Sequence, residues 1–218
     1  MVAHPKTRFV AFTGSKEVGI HINDLAAKVQ PGQKWLKRVI AEMGGKDSIV
    51  IDDQTDLQAA AQATVASAFG FQGQKCSAAS RAIVVESVYT RFVDLVKEKV
   101  DKIKVGDSSA PANYMGPVIN KGSEEKTLSY IEKGLQEGGR LISGGKKELG
   151  GQGYFVRPTV IADVDPKATI SQEEIFGPVL AIIRAKDFDD ALEIANNTEF
   201  GLTGGVWTKN RKKIEKAK

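Results

Sequence analysis

RFVAFTGSKEVG, residues 8–19, opens with a short apolar run, ends that run in Thr13-Gly14-Ser15, and continues as Lys16-Glu17-Val18-Gly19. The order reads as a strand, a glycine turn and a helix through about residue 29, where Pro31 and Gly32 stop it. Working outward, WLKRVIA (35–41) is a second strand candidate that closes on Glu42-Met43-Gly44-Gly45-Lys46. Residues 48–51 form a third short strand, and Asp56 opens an alanine-rich helix through about Phe69. Beyond it come a β-branched strand (82–86), an amphipathic helix (89–103), a loop broken by Gly106, Pro111, Gly116 and Pro117, and a helix from Lys121 to about Gln136. Strands at 140–143, 155–161, 179–184 and 205–207, with a helix at 187–195, complete the chain. Strands alternating with helices predict an α/β fold with a mainly parallel sheet.

The bulk properties exclude several classes. At 218 residues, 41% hydrophobic and 27% charged, the chain has the composition of an ordinary globular protein. No stretch approaches the roughly 18 continuous apolar residues of a membrane helix. MVAHPKTRF lacks the apolar core of a secretory signal, so the cytoplasm is the expected compartment. The net charge of +4 is concentrated in the final KNRKKIEKAK. Without an aromatic stacking motif this reads as a solvated helix or a cut end, and nucleic acid is not an expected partner. One cysteine and two histidines exclude an internal disulfide and leave no basis for a metal cage.

Four places carry chemistry. Gly73 lets the chain turn tightly before Cys76, so the sulfur would sit on a loop. A neighbouring Lys75, or a helix start near Ser77, would raise its thiolate fraction. A lone cysteine is otherwise most often a small buried apolar side chain. Glu42 ends a strand beside Gly44-Gly45, a place where ligands collect in open α/β sheets, and partial burial there would suit a general base. Thr13-Gly14-Ser15 leads into a helix N-terminus that could meet a phosphate. Glu174 and Phe176 lie in a loop bounded by glycine and proline, where a carboxylate could meet ribose hydroxyls and a ring could lie beside a nicotinamide.

Taken in order, FTGSKEVG (12–19), EMGGKD (42–47), FQGQKCSA (71–78) and EEIFGPV (173–179) resemble the aldehyde dehydrogenase superfamily over essentially the whole chain, with Cys76 lying 34 residues beyond Glu42. The resemblance implies an aldehyde dehydrogenase catalytic domain, residues 48–218 and incomplete at its C-terminus, preceded by the last part of a Rossmann-like cofactor domain, residues 1–47. It implies Cys76 as nucleophile and Glu42 as the base that activates the deacylating water. It also implies Gly14 and Ser15 at the cofactor pyrophosphate, Glu174 on the nicotinamide ribose and Phe176 beside the ring. The cofactor would be NAD, with NADP open. The chemistry would run through a thiohemiacetal and a thioester that water hydrolyses.

The wording AFGFQGQKCSAASR (68–81) resembles the bacterial branch that oxidises L-glutamate γ-semialdehyde, the opened form of 1-pyrroline-5-carboxylate, to glutamate in proline breakdown. Ser77 would lie near that substrate. Segments that the family uses for the oxyanion hole, the adenosine ribose and oligomerisation are not in this sequence. The expectation is therefore of a fragment, inactive alone, whose parent is a homo-oligomer acting on a small aldehyde. Another hydrolytic aldehyde dehydrogenase, or a non-catalytic binding or assembly domain with the same fold, remains open at this point.

Overall fold

The computed structural model describes residues 1–148 and 153–218. Two compact units divide the chain, Met1–Gly44 and Gly45–Lys218.

In the first unit, strand β1 (Phe9–Thr13), helix α1 (Lys16–Ala27) and strand β2 (Arg38–Glu42) make one β-α-β turn, with β1 and β2 parallel and Thr13 opposite Glu42. Ser15 caps α1, its Oγ accepting from Val18 N at 3.4 Å. Strand β2 begins three residues later than the apolar run suggested. Ladder pairing starts where Arg38 meets Phe9, whereas the Trp35 indole N–H donates to Thr7 O at 3.3 Å outside the ladder.

The second unit is built on a six-stranded sheet in the order β5 (Arg140–Ser143), β6 (Thr159–Ala162), β7 (Val179–Ala185), β4 (Arg81–Val85), β3 (Ser48–Ile51), β8 (Gly204–Trp207). Every pair is parallel except β5 with β6. The expected strand over 155–161 is shorter at its start. Pro158 has no N–H to give a ladder, and pairing begins at Thr159.

Central strands read as continuous apolar runs because both faces are covered. On one face, Ile51, Ala82, Val84, Leu180 and Ile182 pack with α2 (Leu57–Phe69) and α3 (Tyr89–Val100) through Ala61, Val65, Phe92 and Val96. On the other, Val50, Ile83, Ala181 and Ile183 pack with α4 (Lys121–Gln136), the short α5 (Thr169–Gln172) and α6 (Phe188–Asn196) through Ile131, Ile170 and Ala191. Alternate residues of β4 and β7 thus serve opposite faces, as the two-residue period of a strand requires.

The basic C-terminal run is helix α7 (Arg211–Ala217). Its charges are partly spent within the fold: Lys213 Nζ reaches Asp52 Oδ1 at 2.5 Å and Lys216 Nζ reaches Asp189 Oδ2 at 2.6 Å. Among the described residues no helix is long and apolar enough to cross a membrane.

Candidate active site

Helix α2 delivers the chain to Cys76 by an uncommon route. After Phe69, Phe71 and Gln72 adopt φ of 57° and 58°, and Gly73 follows at 65°. Left-handed backbone costs a non-glycine residue roughly 1–2 kcal/mol, so something must hold it there. Two glutamines supply hydrogen bonds on either side. With its amide turned to satisfy both neighbours, Gln72 accepts from Gly116 N at 2.7 Å and donates to Phe71 O at 3.0 Å. Gln74 Oε1 accepts from Ile119 N at 3.0 Å. The loop is therefore fastened to the 116–119 segment.

Cys76 and Ser77 occupy the corner of the turn that follows, closed by Ala78 N donating to Lys75 O at 3.1 Å. Cys76 is half-buried, and Ser77 and Lys75 are exposed. No helix starts at Ser77, contrary to one sequence expectation. Ala79 N donates instead to Ser67 Oγ at 3.3 Å, and the chain runs straight into β4.

The 173–179 segment meets this loop backbone to backbone. A Cβ on Gly73 would lie 2.4 Å from Gly177 O, so only glycine allows the approach. Phe176, at φ 58°, turns its ring outward and leaves it 42% exposed. Glu174 is half-buried; its Oε1 accepts from Gly45 N at 3.1 Å. Its backbone carbonyl accepts from Lys126 Nζ on α4 at 2.9 Å. Next to it, Glu173 Oε2 accepts from the Tyr130 hydroxyl at 2.5 Å, and burial followed by that carboxylate pushes the phenol up to about 12.

Gly45 joins three of the motifs. Besides its bond to Glu174, the Cβ it lacks would sit 2.3 Å from the Cys76 carbonyl oxygen and 2.6 Å from Asp47 Oδ2. Gly45, Gly73, Lys75, Glu174 and Phe176 surround a cavity of about 20 Å³. A larger cavity, about 380 Å³, is bounded by Lys46, Asp47, Arg81, Leu192 and Thr203.

Lys46, Asp47 and Arg81 escaped the sequence reading as functional candidates. All three are buried. Arg81 spends its guanidinium on three carbonyls: Nε on Lys46 O, and the terminal nitrogens on Ile194 O and Ala195 O, at 2.9–3.1 Å. Lys46 Nζ has no hydrogen-bond partner among the described residues, and burial, then Arg81, push its ammonium down to about 7 against the opposing pull of Glu174 and Asp47. The available signal was the run Gly-Gly-Lys-Asp leading directly into the apolar Ile49-Val50-Ile51.

In the first unit, Glu42 is the last residue of β2 and its carbonyl accepts from Gly14 N at 3.0 Å. The turn after β1 and the end of β2 are thus side by side. Glu42 itself is exposed, so the partial burial expected of it is not found: alternate residues of β2 face outward and Glu42 falls in that register. Ser15 caps α1, and a Cβ on Gly14 would strike the Phe12 ring at 2.4 Å. Among the described residues no group of three or more histidines, cysteines or carboxylates lies together as metal ligands.

The aldehyde dehydrogenase family model matches residues 1–218, and the chain belongs to that family. It is 60% identical over its full length to the 1-pyrroline-5-carboxylate dehydrogenase of Geobacillus thermodenitrificans (strain NG80-2), and 57% identical to 1-pyrroline-5-carboxylate dehydrogenase 2 of Bacillus subtilis (strain 168). Among solved structures, the NAD-bound 1-pyrroline-5-carboxylate dehydrogenase from Thermus superposes with a TM-score of 0.95 at 50% identity over 99% of this chain and 41% of that one. The chain spans 42% of the length of the Geobacillus and Bacillus relatives.

The residues present suit a nicotinamide dinucleotide in their chemistry. Glu174 Oε2 makes no hydrogen bond among the described residues and is available to hydroxyls. Phe176 offers an exposed ring, and Ser15 caps a helix whose N-terminus favours phosphate.

Proposed function

We propose that this chain is the cysteine-bearing part of an NAD-dependent enzyme that oxidises L-glutamate γ-semialdehyde to L-glutamate. What supports the reading most is the convergence on Gly45, where the Cys76 carbonyl and the Glu174 carboxylate meet one glycine of the EMGGKD segment. The 60% identity to a 1-pyrroline-5-carboxylate dehydrogenase supports the choice of substrate class.

In this reading the Cys76 thiolate adds to the aldehyde carbon and leaves a tetrahedral thiohemiacetal oxyanion, which the Cys76 backbone N–H is suited to receive. Gly14, Ser15, Glu174 and Phe176 hold the dinucleotide, which when bound supplies the hydride acceptor. Glu42 takes a proton from water, and that water releases the acyl group from sulfur as a carboxylate. Ser77 donates to the substrate beside the nucleophile. Residues 1–47 form the end of the cofactor domain and 48–218 the catalytic domain. The activity is that of a whole cytoplasmic enzyme assembled from identical subunits.

The test is NADH formation with 1-pyrroline-5-carboxylate by the whole enzyme, beside its Cys76→Ala variant. Turnover that the substitution abolishes supports the reading. Turnover that survives in Cys76→Ala removes the nucleophile, and turnover only with other aldehydes keeps the chemistry and overturns the substrate.

A further inference from the structure

Asp47, directly ahead of β3, is 4% exposed, and both its backbone carbonyl and its side chain are hydrogen-bonded to distant parts of the chain. Its carbonyl accepts from Ser80 N at 3.1 Å, Arg81 N at 3.2 Å and Ser80 Oγ at 3.4 Å, which holds the end of the cysteine segment where it enters β4. Its Oδ1 accepts from Thr203 N at 2.9 Å, just ahead of β8. Its Oδ2 has no hydrogen-bond partner among the described residues. That oxygen and the Cys76 carbonyl oxygen lie 2.6 and 2.3 Å from the single point that a Gly45 Cβ would occupy.

Neither neighbouring cation bonds to the buried carboxyl: Arg81 donates to three carbonyls, and Lys46 Nζ has no hydrogen-bond partner among the described residues. A side chain there for packing alone would be apolar. What the carboxyl does, and an apolar residue would not, is hold Thr203 N through Oδ1 while the carbonyl of the same residue holds Ser80 and Arg81, four and five residues beyond Cys76.

We infer that Asp47 is a positioning residue for Cys76: through Thr203 N on one side and the Ser80–Arg81 backbone on the other, it fixes the segment that follows the cysteine turn against the 201–203 loop. The inference rests on the reading of Cys76 as nucleophile. Asp47 touches no reacting atom; its effect is on where the sulfur sits, and displacement of a reacting group by about 1 Å is enough to cost up to a hundredfold in rate.

The chain has one cysteine, so alkylation by iodoacetamide, followed by intact mass, reports Cys76 alone. Asp47→Ala is expected to change the alkylation rate by about tenfold. Asp47→Asn, which keeps the acceptor for Thr203 N and offers an N–H₂ group on the side of the Cys76 carbonyl, is expected to restore the original rate. A role confined to stability would not give that rescue at a temperature where all three proteins are folded. Unchanged alkylation in Asp47→Ala, or Asp47→Asn displaced as far as Asp47→Ala, overturns the inference. If Asp47→Ala does not fold, amide exchange in the unsubstituted chain decides: a protected Thr203 N–H supports the tie, and free exchange there overturns it. A Cys76 no more reactive than a cysteine in an unstructured peptide defeats the nucleophile reading and this inference with it. A reactive Cys76 indifferent to Asp47 defeats only the role given to Asp47.

Discussion

Replacing Lys46 by methionine separates the charge of this buried residue from its bulk. Lys46 is 2% exposed, and its ammonium is pushed from an ordinary 10.5 down to about 7, first by burial and then by Arg81. In the unfolded chain the same amine keeps its ordinary value. Between about pH 7 and about pH 10 the unfolded state therefore holds a proton that the folded state has released, and stability rises with pH in that window. Below about pH 7 both states are protonated and the cost of burying the charge is fully present. The whole interval is worth on the order of 5 kcal/mol, at about 1.4 kcal/mol per pH unit. Between about pH 7 and about pH 9 the expected gain is about 2 kcal/mol, because the folded amine is only half titrated at the start. Urea unfolding of the chain at both pH values, with Lys46→Met in parallel, isolates this contribution from every other titrating group. The methionine variant is expected to lack that rise and to be the more stable of the two at neutral pH. Parallel pH dependences would mean that the Lys46 amine is solvated in the folded state and that the argument from burial is wrong.

Three further perturbations follow from the geometry. Gly45→Ala places a Cβ 2.3 Å from the Cys76 carbonyl oxygen, a backbone atom that cannot swing away; a loss of about 1–3 kcal/mol in thermal unfolding is expected, together with altered Cys76 alkylation. Gly73→Ala combines a contact of 2.4 Å to Gly177 O with φ of 65°, and about 2 kcal/mol or more should be lost; a change below 0.5 kcal/mol, about the size of a neutral surface substitution, would show that the two loops do not meet as closely as described. Burial pushes the fully buried Asp52 carboxyl up, but hydrogen bonds from Lys213 and Thr208 outweigh it and hold the group below the usual carboxylate range. Its contribution to stability is thus present above about pH 4 and lost as acid brings the pH down through its lowered value; Asp52→Asn should cost about 2 kcal/mol at neutral pH and flatten the acid limb of the unfolding curve.

The α/β alternation was legible because strands β3, β4 and β7 carry the apolar runs Ile49–Ile51, Ala82–Val85 and Val179–Ile183, and helices α2, α4 and α6 carry Asp56, Asn120 and Asp187 as caps, which bond to backbone N–H groups in the structure. Where the reading slipped, pairing overrode composition: Trp35 is apolar yet lies outside β2, and Phe155 precedes a proline that delays β6. The site divides differently. Cys76, Glu174 and Phe176 sit in loops whose glycines mark them. Nothing in the spelling of Phe71-Gln72 announces two left-handed residues, since glycine is the expected occupant and the holding bonds come from Gly116 and Ile119, far along the chain. Lys46 and Asp47 are charged in the sequence, and their burial comes with neighbours far along the chain, Leu192 and Ala195 of α6 and Thr203 before β8.

Strand β3 has β4 on one side and β8 on the other, and these neighbours arrive at very different times during synthesis. At roughly 5–20 residues per second, β4 is made within seconds of β3, whereas β8 follows only on the order of ten seconds later. For that interval the nascent chain carries a short, strongly β-forming edge, Ile49-Val50-Ile51, open to any strand that comes by. The residues that bracket it, Lys46-Asp47 before and Asp52-Asp53 after, put charge at both ends of that edge while it waits. The same aspartates that later hold Thr203 and Lys213 in the finished protein would serve first as gatekeepers against aggregation on the ribosome.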